Sequence, residues 1–254
     1  MTVEALFKYG KLGEYSEALF STPTIWFSSP SKLNDPFECR PWFDFSGTEE
    51  QVVEFLVRML RKQDPALPQE AAINRARAIY AEGRHSDPRY WRFFAKEIAR
   101  HLATNIGLCC LSTTNTNILM WSHYAQEHQG YCLEFVASDT TPFFGEAQKV
   151  SYATDFPVIN YFNTPRDVQL DFVFLTKFEG WKYEEEYRIV DHQEGAGLRA
   201  YPTNLLKSIT FGMRMPQDDK RKIRQWLSKR GHDVKILEAA IHEREFKIVL
   251  AEAP

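Results

Sequence analysis

Residues 181–190 read "WKYEEEYRIV", and this stretch decides how the second half of the chain is interpreted. Its end is rich in Tyr, Ile and Val, which is typical of a β-strand, whereas glutamate is depleted in strands. In a strand, alternation puts Glu184, Glu186 and Arg188 on one face and Glu185 on the other. The pattern therefore predicts a same-face carboxylate pair, with Glu185 in solvent. The alternative is a solvated edge strand in which glutamate pairs with arginine.

The composition is typical of a globular protein. Of the 254 residues, 44% are hydrophobic and 26% are charged, both ordinary fractions. This length allows one large domain or two small ones. We expect residues 1–254 to form a single domain with a helical insertion at about 48–105. The net charge of −3 gives no overall positive field to attract nucleic acid, although a local basic patch remains possible.

Three features favour a reduced, cytoplasmic protein without a membrane span. The first fifteen residues, "MTVEALFKYGKLGEY", lack the apolar region of a signal peptide. No apolar run reaches the roughly 18 residues that a spanning helix needs. The four cysteines form no C-x-x-C pair, so neither a disulfide framework nor a zinc site is indicated.

The chain has three regions of different pattern. Residues 1–47 favour short strands and turns, and 106–254 alternate short strands with a few helices. Residues 48–105 favour helices, the first with Thr48 as N-cap and with apolar residues at the i, i+3, i+4, i+7 spacing from Val52 onward. We therefore expect an α+β fold of mixed, mainly antiparallel sheets of short strands, with a helical insertion.

Three further helices are predicted in the last region, the third of them over residues 216–231. The first covers "NILMWSHYAQEH", residues 117–128, and the second covers "PRDVQLDFVFLTKFEGW", residues 165–181. On the first helix His123 and His128 would lie about 140° apart, which argues against a shared metal ion. His123 would lie beside Trp121 and Tyr124, either as a buried core histidine or as a general base.

A polar loop, "FSSPSKLNDPFE", follows the second predicted strand at residues 27–38. Asn34 and Asp35 precede a proline, which favours a turn in which these side chains bind their own backbone. The loop is therefore either a structural turn or a segment that presents Ser28 and Asn34 to a ligand. Polar loop residues at the end of a rigid strand are a common way to build a site.

Four ordered motifs resemble the family known as domain of unknown function 2971. They are "LFKYG", "FSSPSKLNDPFE", "MWSHYAQEHQGYCLEF" and "WKYEEEYRIV", and they extend from residue 5 to about residue 190. The second motif has Leu33 where the family frequently has phenylalanine. The family name implies no activity.

A second resemblance concerns the layout of ADP-ribosyltransferases of the DNA-modifying toxin type. These enzymes carry three separated strand motifs, the last with a glutamate in E-x-E, and Glu184 to Glu186 satisfies that pattern. The resemblance implies NAD as cofactor and a nucleic acid or protein as acceptor. It also implies a role in toxicity or phage defence. The first strand departs from the pattern, because Lys8 and Tyr9 stand where those enzymes place His or Arg.

The transferase resemblance assigns a catalytic role to three residues. Cleavage of the nicotinamide–ribose bond builds positive charge on the ribose, as in glycoside cleavage, and Glu186 is the candidate carboxylate that stabilises this charge. Glu184 would orient the acceptor or take its proton. His123 would lie on the acceptor side.

The same resemblance makes six residues candidates for binding NAD. Tyr9 and Phe27 would stack on a ring of the cofactor, together with Trp26. Lys8 or Arg188 would meet its pyrophosphate. Two polar residues from the loop, Ser28 and Asn34, complete the set, and Ser28 would brace Glu186. No metal ion is expected.

Two other functions remain open. One is a nucleic-acid-binding or cleaving protein, because "PRYWRFFAKEIAR" and "DDKRKIRQW" interleave aromatic and basic residues. These segments are better explained as two amphipathic helices. The other is a non-enzymatic module that senses a ligand or binds a partner at the same site. The sequence does not define the oligomeric state.

Overall fold

The structure is a computed structural model that describes residues 3–253, except the side chains of Arg84, Pro88, Ala99 and residues 101–104. The strands are β1 (Ala5–Gly10), β2 (Thr24–Phe27), β3 (Trp42–Asp44), β4 (Gly107–Ser112), β5 (Tyr131–Val136), β6 (Gln148–Lys149), β7 (Ser151–Ala153), β8 (Val158–Asn160), β9 (Thr176–Phe178), β10 (Glu186–Asp191), β11 (Gly197–Ala200), β12 (Leu206–Phe211), β13 (Lys235–Ile241) and β14 (Ile248–Glu252). The α-helices are α1 (Ser16–Ser21), α2 (Glu49–Gln63), α3 (Gln69–Ala81), α4 (Pro88–Asn105), α5 (Ile118–Tyr124), α6 (Arg166–Phe174) and α7 (Gln217–Leu227).

The chain divides into two compact units. The first comprises Met1–Pro36, Asn105–Thr154 and Lys177–Pro254, and the second comprises Phe37–Thr104 and Asp155–Thr176. Within the described residues, eight strands of the first unit form one sheet in the order β14-β13-β12-β5-β1-β4-β10-β6. Its pairs are antiparallel except β12 with β13. The predicted α+β class with mainly antiparallel, short strands is confirmed.

Side chains cover both faces of this sheet. On one face, the main core joins strand residues such as Leu133 and Phe135 to Phe20 of α1 and Ile223 of α7. On the other face, Trp121 of α5 packs with Cys132 and with Tyr9, whose ring meets the indole edge-on at 5.3 Å. The register pairs β1 with β4 and β4 with β10, so Tyr9 shares the α5 face with Glu186.

The second unit contains the predicted helices. Helix α2 begins at the predicted N-cap Thr48, which forms a capping box with Gln51. The Thr48 hydroxyl accepts a hydrogen bond from the backbone N–H of Gln51, and the Gln51 side chain accepts one from the backbone N–H of Thr48. Helices α3 and α4 follow. Strands β3 and β8 pair in parallel, and an aromatic cluster centred on Phe45 and Phe55 forms much of the unit's interior.

Two predicted helices are shorter than their sequence patterns indicated. Helix α5 ends at Tyr124, because Gln126, Glu127 and His128 all adopt positive φ, a conformation that cannot continue a right-handed helix. His123 and His128 therefore do not lie on one helix. Helix α6 ends at Phe174, and the chain continues as strand β9 and a 3-10 turn at Glu179–Glu184. Among the described residues, no helix combines the length and apolarity that a bilayer span requires.

A close backbone approach at Gly130 gives a test of the sheet's assembly. A Cβ at Gly130 would lie 2.1 Å from the carbonyl oxygen of Gly10. We therefore expect Gly130→Ala to lower the free energy of unfolding by about 2 to 3 kcal/mol, as overpacking does. Gly13→Ala is the matched control, because a Cβ there meets nothing within 4 Å. Urea denaturation of both variants measures the difference, and equal stability would contradict the packing of β1 against the start of β5.

Candidate functional site

Residues 181–190 are not one strand. Glu184 ends a 3-10 turn, Glu185 has φ of 46° in the left-handed region, and strand β10 begins at Glu186. The predicted strand is therefore wrong in its first half, because strand alternation does not apply before Glu186. The left-handed residue nevertheless lets Glu184 and Glu186 approach one another. Both are buried, with 3% of each exposed, and Glu185 is exposed.

A buried lysine joins the two carboxylates. The Nζ of Lys177, from β9, lies 2.5 Å from Oε2 of Glu184 and 3.1 Å from Oε2 of Glu186. Lys177 is itself only 5% exposed. Buried charges are tolerated when they are paired and hydrogen-bonded, so this ammonium group explains how two neighbouring carboxylates remain inside the unit.

The Arg188 guanidinium binds Glu186 in two places. Its Nε donates to Oε1 at 2.7 Å and its Nη2 donates to Oε2 at 2.9 Å, and Arg188 is fully buried. Such two-point contacts between guanidinium and carboxylate are strong and directional. The predicted pairing of Glu186 with Arg188 is present, but in the interior rather than on a solvated edge. Because Arg188 and Glu186 bind each other in the interior, Arg188 is poorly placed to bind the pyrophosphate of NAD.

Glu184 is connected to the surface through Tyr124. The Tyr124 hydroxyl donates to Oε1 of Glu184 at 2.5 Å, and the Asn34 side-chain amide donates to the same hydroxyl at 3.1 Å. Asn34 is exposed and Tyr124 is half-buried. The backbone carbonyl of Glu184 accepts a hydrogen bond from Ser112 at 2.6 Å. These contacts form a chain from an exposed loop residue to a buried carboxylate.

The two carboxyl groups differ in their pKa. Burial raises the pKa of Glu184 to about 7, and the charge of Glu186 adds to the increase, while Lys177 opposes it. Burial would also raise the pKa of Glu186, but the charge and hydrogen bonds of Arg188, together with Lys177, outweigh it and lower that pKa to about 2. The pair therefore has one carboxylate that is ionised at neutral pH and one that exchanges a proton near neutrality.

Aromatic side chains surround the outer edge of this cluster. The Trp181 Nε1 donates to Asp35 at 2.7 Å, and the Lys177 ammonium lies 5.1 Å from the centre of the Trp181 ring system. The exposed His123 has its Nδ1 2.9 Å from the Tyr183 hydroxyl. The polar loop at Asn34 and Asp35 and the helix α5 thus both reach the segment that carries Glu184.

Several predicted cofactor-binding residues lie elsewhere. Phe27 is buried in the main core, on the face of the sheet opposite Glu186. Ser28 pairs through its backbone with Leu108, which lies opposite Val190 in β10. That is four residues along β10 from Glu186, or about 13 Å at ~3.3 Å per residue, so the expectation that Ser28 braces Glu186 is wrong.

The first strand contributes structural contacts. Lys8 donates from its Nζ to the carbonyl of Cys110 at 3.1 Å, and Tyr9 donates from its hydroxyl to the carbonyl of Thr114 at 2.9 Å. Burial is the main cause that raises the pKa of the Tyr9 hydroxyl. These two side chains therefore tie β1 to β4 and the segment after it, while Asn34 alone of the predicted cofactor-binding loop residues joins the Glu184 cluster.

Lys177, Tyr124 and Asp35 were not selected from the sequence as site residues. Lys177 was missed because residues 165–181 have the pattern of a helix. A lysine in such a helix is expected on the face exposed to solvent. Tyr124 lies in a predicted helix beside Trp121, where an aromatic residue is expected either in the core or stacked on a ligand. The last three of the four ordered motifs are the signal that connects them, since each missed residue lies in or near one of these motifs.

The basic segments proposed for nucleic-acid binding carry acidic partners. In α7, Arg221 pairs with Asp218 and Lys222 pairs with Asp219, three residues apart. Before and within α4, Arg89 pairs with Asp87 at 2.9 Å. These pairs reduce the uncompensated positive charge of both segments. Binding of nucleic acid stays a prediction. In the part of the chain that the structure describes, no group of three or more His, Cys, Asp and Glu residues is positioned to hold a metal ion.

The fold and this buried, ion-paired cluster define an α+β protein with one carboxyl group, that of Glu184, whose pKa is about 7. The family model described as Protein of unknown function (DUF2971) matches residues 120–189, so the resemblance to that family is confirmed over this segment. The matched residues contain Tyr124, Lys177, Glu184, Glu186 and Arg188. No curated protein and no solved structure matches the chain. The likeness to ADP-ribosyltransferases has no support from these comparisons.

The Glu186 contacts predict a large loss of stability when the carboxylate is removed. Glu186→Gln would leave the buried Arg188 and Lys177 without the charge that compensates them, so we expect the free energy of unfolding to fall by about 3 to 5 kcal/mol at pH 7. Glu185→Gln is the matched control, because Glu185 is exposed, and its cost should stay below about 1 kcal/mol. Chemical denaturation measures both. Similar losses in the two variants would contradict the assigned ion pairs.

The pKa of Glu184 predicts an unusual pH dependence. Because its folded-state pKa of about 7 exceeds the ordinary value of 4.5, the folded state binds the extra proton between these values. Ionisation of Glu184 should therefore lower stability as pH rises from 4.5 to 7, by on the order of 3 kcal/mol. Glu184→Gln should remove this decline. Denaturation midpoints of both proteins between pH 4.5 and 8 provide the measurement, and parallel profiles would refute the shifted pKa.

Proposed function

We propose that the protein is an enzyme in which Glu184 exchanges a proton with a bound ligand through Tyr124. The observation that carries this proposal is the 2.5 Å hydrogen bond from the Tyr124 hydroxyl to a carboxyl group whose pKa is raised to about 7. A group with a pKa near the working pH is suited to general acid–base catalysis. Strongly shifted pKa values are also concentrated at functional sites.

Glu186 supports the reaction without touching the ligand in this proposal. Its two carboxylate oxygens are occupied by Arg188 and Lys177 at 2.7 to 3.1 Å. Its fixed negative charge raises the pKa of Glu184 and holds Lys177 beside it. Glu186 is therefore a positioning residue, and the catalytic role first considered for it passes to Glu184.

We propose transfer of an ADP-ribosyl group from NAD to a macromolecule, nucleic acid or protein, as the reaction. This choice rests on the E-x-E pattern and on the layout of the strand motifs. An ionised Glu184 would stabilise the positive charge that develops on the ribose when the bond to nicotinamide breaks. Through Tyr124 it would take the proton that the acceptor loses as the new bond from acceptor to ribose forms. His123, exposed beside Tyr183, would lie on the acceptor side. Cytoplasmic location and a role in toxicity or phage defence belong to the same proposal.

The transfer proposal is tested with NAD that carries a label in its adenylate part. Wild-type protein is incubated with labelled NAD and with DNA, RNA and protein acceptors, and nicotinamide release is followed separately. We expect Glu184→Gln to lower the rate by roughly 100- to 1000-fold, while Glu185→Gln keeps the wild-type rate. The wild-type rate should rise with pH through about 7, because only ionised Glu184 carries the stabilising charge.

The Tyr124→Phe variant distinguishes a role of Glu184 in proton exchange from a role that needs only its negative charge. Removing the hydroxyl leaves the Glu184 carboxylate but breaks its contact with the exposed Asn34, so we expect a lower rate and a displaced pH profile. Absence of both label transfer and nicotinamide release from concentrated wild-type protein would refute the NAD reaction. A full rate in Glu184→Gln would refute the assignment of the carboxylate.

The non-enzymatic ligand-sensing module is the second candidate. The observation in its favour is that Lys177, Glu186 and Arg188 are almost completely buried and bind one another, as in a structural ion cluster. For a sensor, NAD or nicotinamide should raise the melting temperature in proportion to ligand concentration while the amount of ligand stays constant. Consumption of the ligand would contradict the non-enzymatic sensor function.

A further inference from the structure

The second unit contains a cavity that is separate from the Glu184 cluster. Its volume is about 800 Å³, within the roughly 300 to 1,000 Å³ that small-molecule sites occupy. It is lined by residues of α2, α4 and α6 and of the segment between β8 and α6. All of these belong to the second unit.

Cations are in excess around this cavity. Arg58, Lys62, Arg100 and Arg166 line it, against the two carboxylates Glu54 and Glu97. Arg100 pairs with Glu97 at 2.6 Å. Within the side chains that the structure describes, Arg58, Lys62 and Arg166 make no ion pair. Three cations that line one cavity without carboxylate partners favour an anionic ligand.

The same cavity offers aromatic surface. Phe94, Tyr161 and Phe162 are half-buried lining residues, and the Arg58 guanidinium lies 5.8 Å from the centre of the Phe55 ring. Aromatic faces stack on flat rings such as nucleobases, and arginine adds a cation–π contribution. An anion that also carries a flat ring matches both properties of the lining.

A buried acceptor adds a polar group to the lining. Gln169 is 5% exposed, and its amide nitrogen donates to the carbonyls of Tyr161 and Thr164. Its Oε1 is buried and has no hydrogen-bond partner among the described residues. Buried polar atoms are normally paired, so this oxygen is an unsatisfied acceptor in a residue that lines the cavity.

We infer that this cavity binds a mononucleotide. The phosphate lies against Arg58, Lys62 and Arg166, and the base stacks on the rings of Phe94 and Phe162. This site is distinct from the proposed NAD reaction, because it uses residues of the second unit alone. Its ligand is recognised by charge and by ring stacking together.

Calorimetric titration of the whole protein with adenosine 5′-monophosphate tests the inference. Adenosine and inorganic phosphate are the matched probes, and we expect each to bind at least about tenfold more weakly than the nucleotide, since one set of contacts is missing. Affinity for the nucleotide should also fall as salt is raised, because the phosphate contacts are screened. Equal affinity for the nucleotide and for either probe would overturn the proposal, as would no binding at millimolar concentration.

Two variants test whether the nucleotide binds in this cavity. Arg58→Gln and Arg166→Gln should each weaken the nucleotide about tenfold. Both residues are exposed, so the fold should be retained, which the melting temperature checks. Arg77→Gln is the control, because Arg77 is an exposed cation of α3 that does not line the cavity. Unchanged affinity in the two cavity variants, or an equal loss in the control, would overturn the site.

Discussion

The ammonium group of Lys177, buried between Glu184 and Glu186, is the interaction on which the arrangement of the first unit's site depends. Two carboxylates this close would repel each other strongly in a medium of low dielectric constant. Lys177 binds both at 2.5 and 3.1 Å and makes their burial possible. Because Lys177 comes from β9, Glu184 from the 3-10 turn and Glu186 from β10, a single cation fixes three consecutive elements of the chain.

Arg188 makes the two carboxylates unequal. Two of its hydrogen bonds go to Glu186, so that carboxylate keeps its charge, whereas the partners that the structure describes for the Glu184 carboxyl group are Lys177 and the Tyr124 hydroxyl. Pairs of titratable groups whose surroundings drive their pKa values apart are a general feature of acid–base sites. A structural ion cluster would be served equally well by two saturated carboxylates. The unequal surroundings therefore give Glu184 a property that stability alone does not require.

Much of the fold was predictable because its signals are local. The N-cap at Thr48, the apolar spacing of α2 and the Tyr, Ile and Val residues of β10 each specify their own element. The failures lie where local propensity is overridden. Glu185 adopts a left-handed conformation that is uncommon for residues other than glycine, and no strand pattern reveals it. Its hydroxyl partner Thr113, at 2.5 Å, is 72 residues away, so the stabilising contact is tertiary.

The candidate site was only partly predictable for the same reason. The sequence indicated Glu184, Glu186, Arg188 and Asn34 as site residues, because these polar residues lie in a predicted strand or in the loop that follows one. It could not distinguish which of the two glutamates is free to act, since that depends on where Arg188 and Lys177 direct their hydrogen bonds. Lys177 itself lies in a segment with a helical pattern, yet it forms a strand. Both features depend on contacts between residues far apart in the sequence, and no short stretch of sequence contains such contacts.

Access further restricts how Glu184 can act. Oε2 of Glu184 faces Lys177 in the interior, and only Oε1 meets Tyr124, which in turn contacts the exposed Asn34. Among the contacts that the structure describes, the Tyr124 hydroxyl connects Glu184 to an exposed residue, so a proton exchanged with a ligand would pass through this hydroxyl. Burial and the Glu184 charge raise the pKa of Tyr124 above its ordinary value, so the hydroxyl stays neutral. In the proposed reaction, proton exchange at Glu184 therefore depends on the Tyr124 hydroxyl and on Asn34, which donates to it.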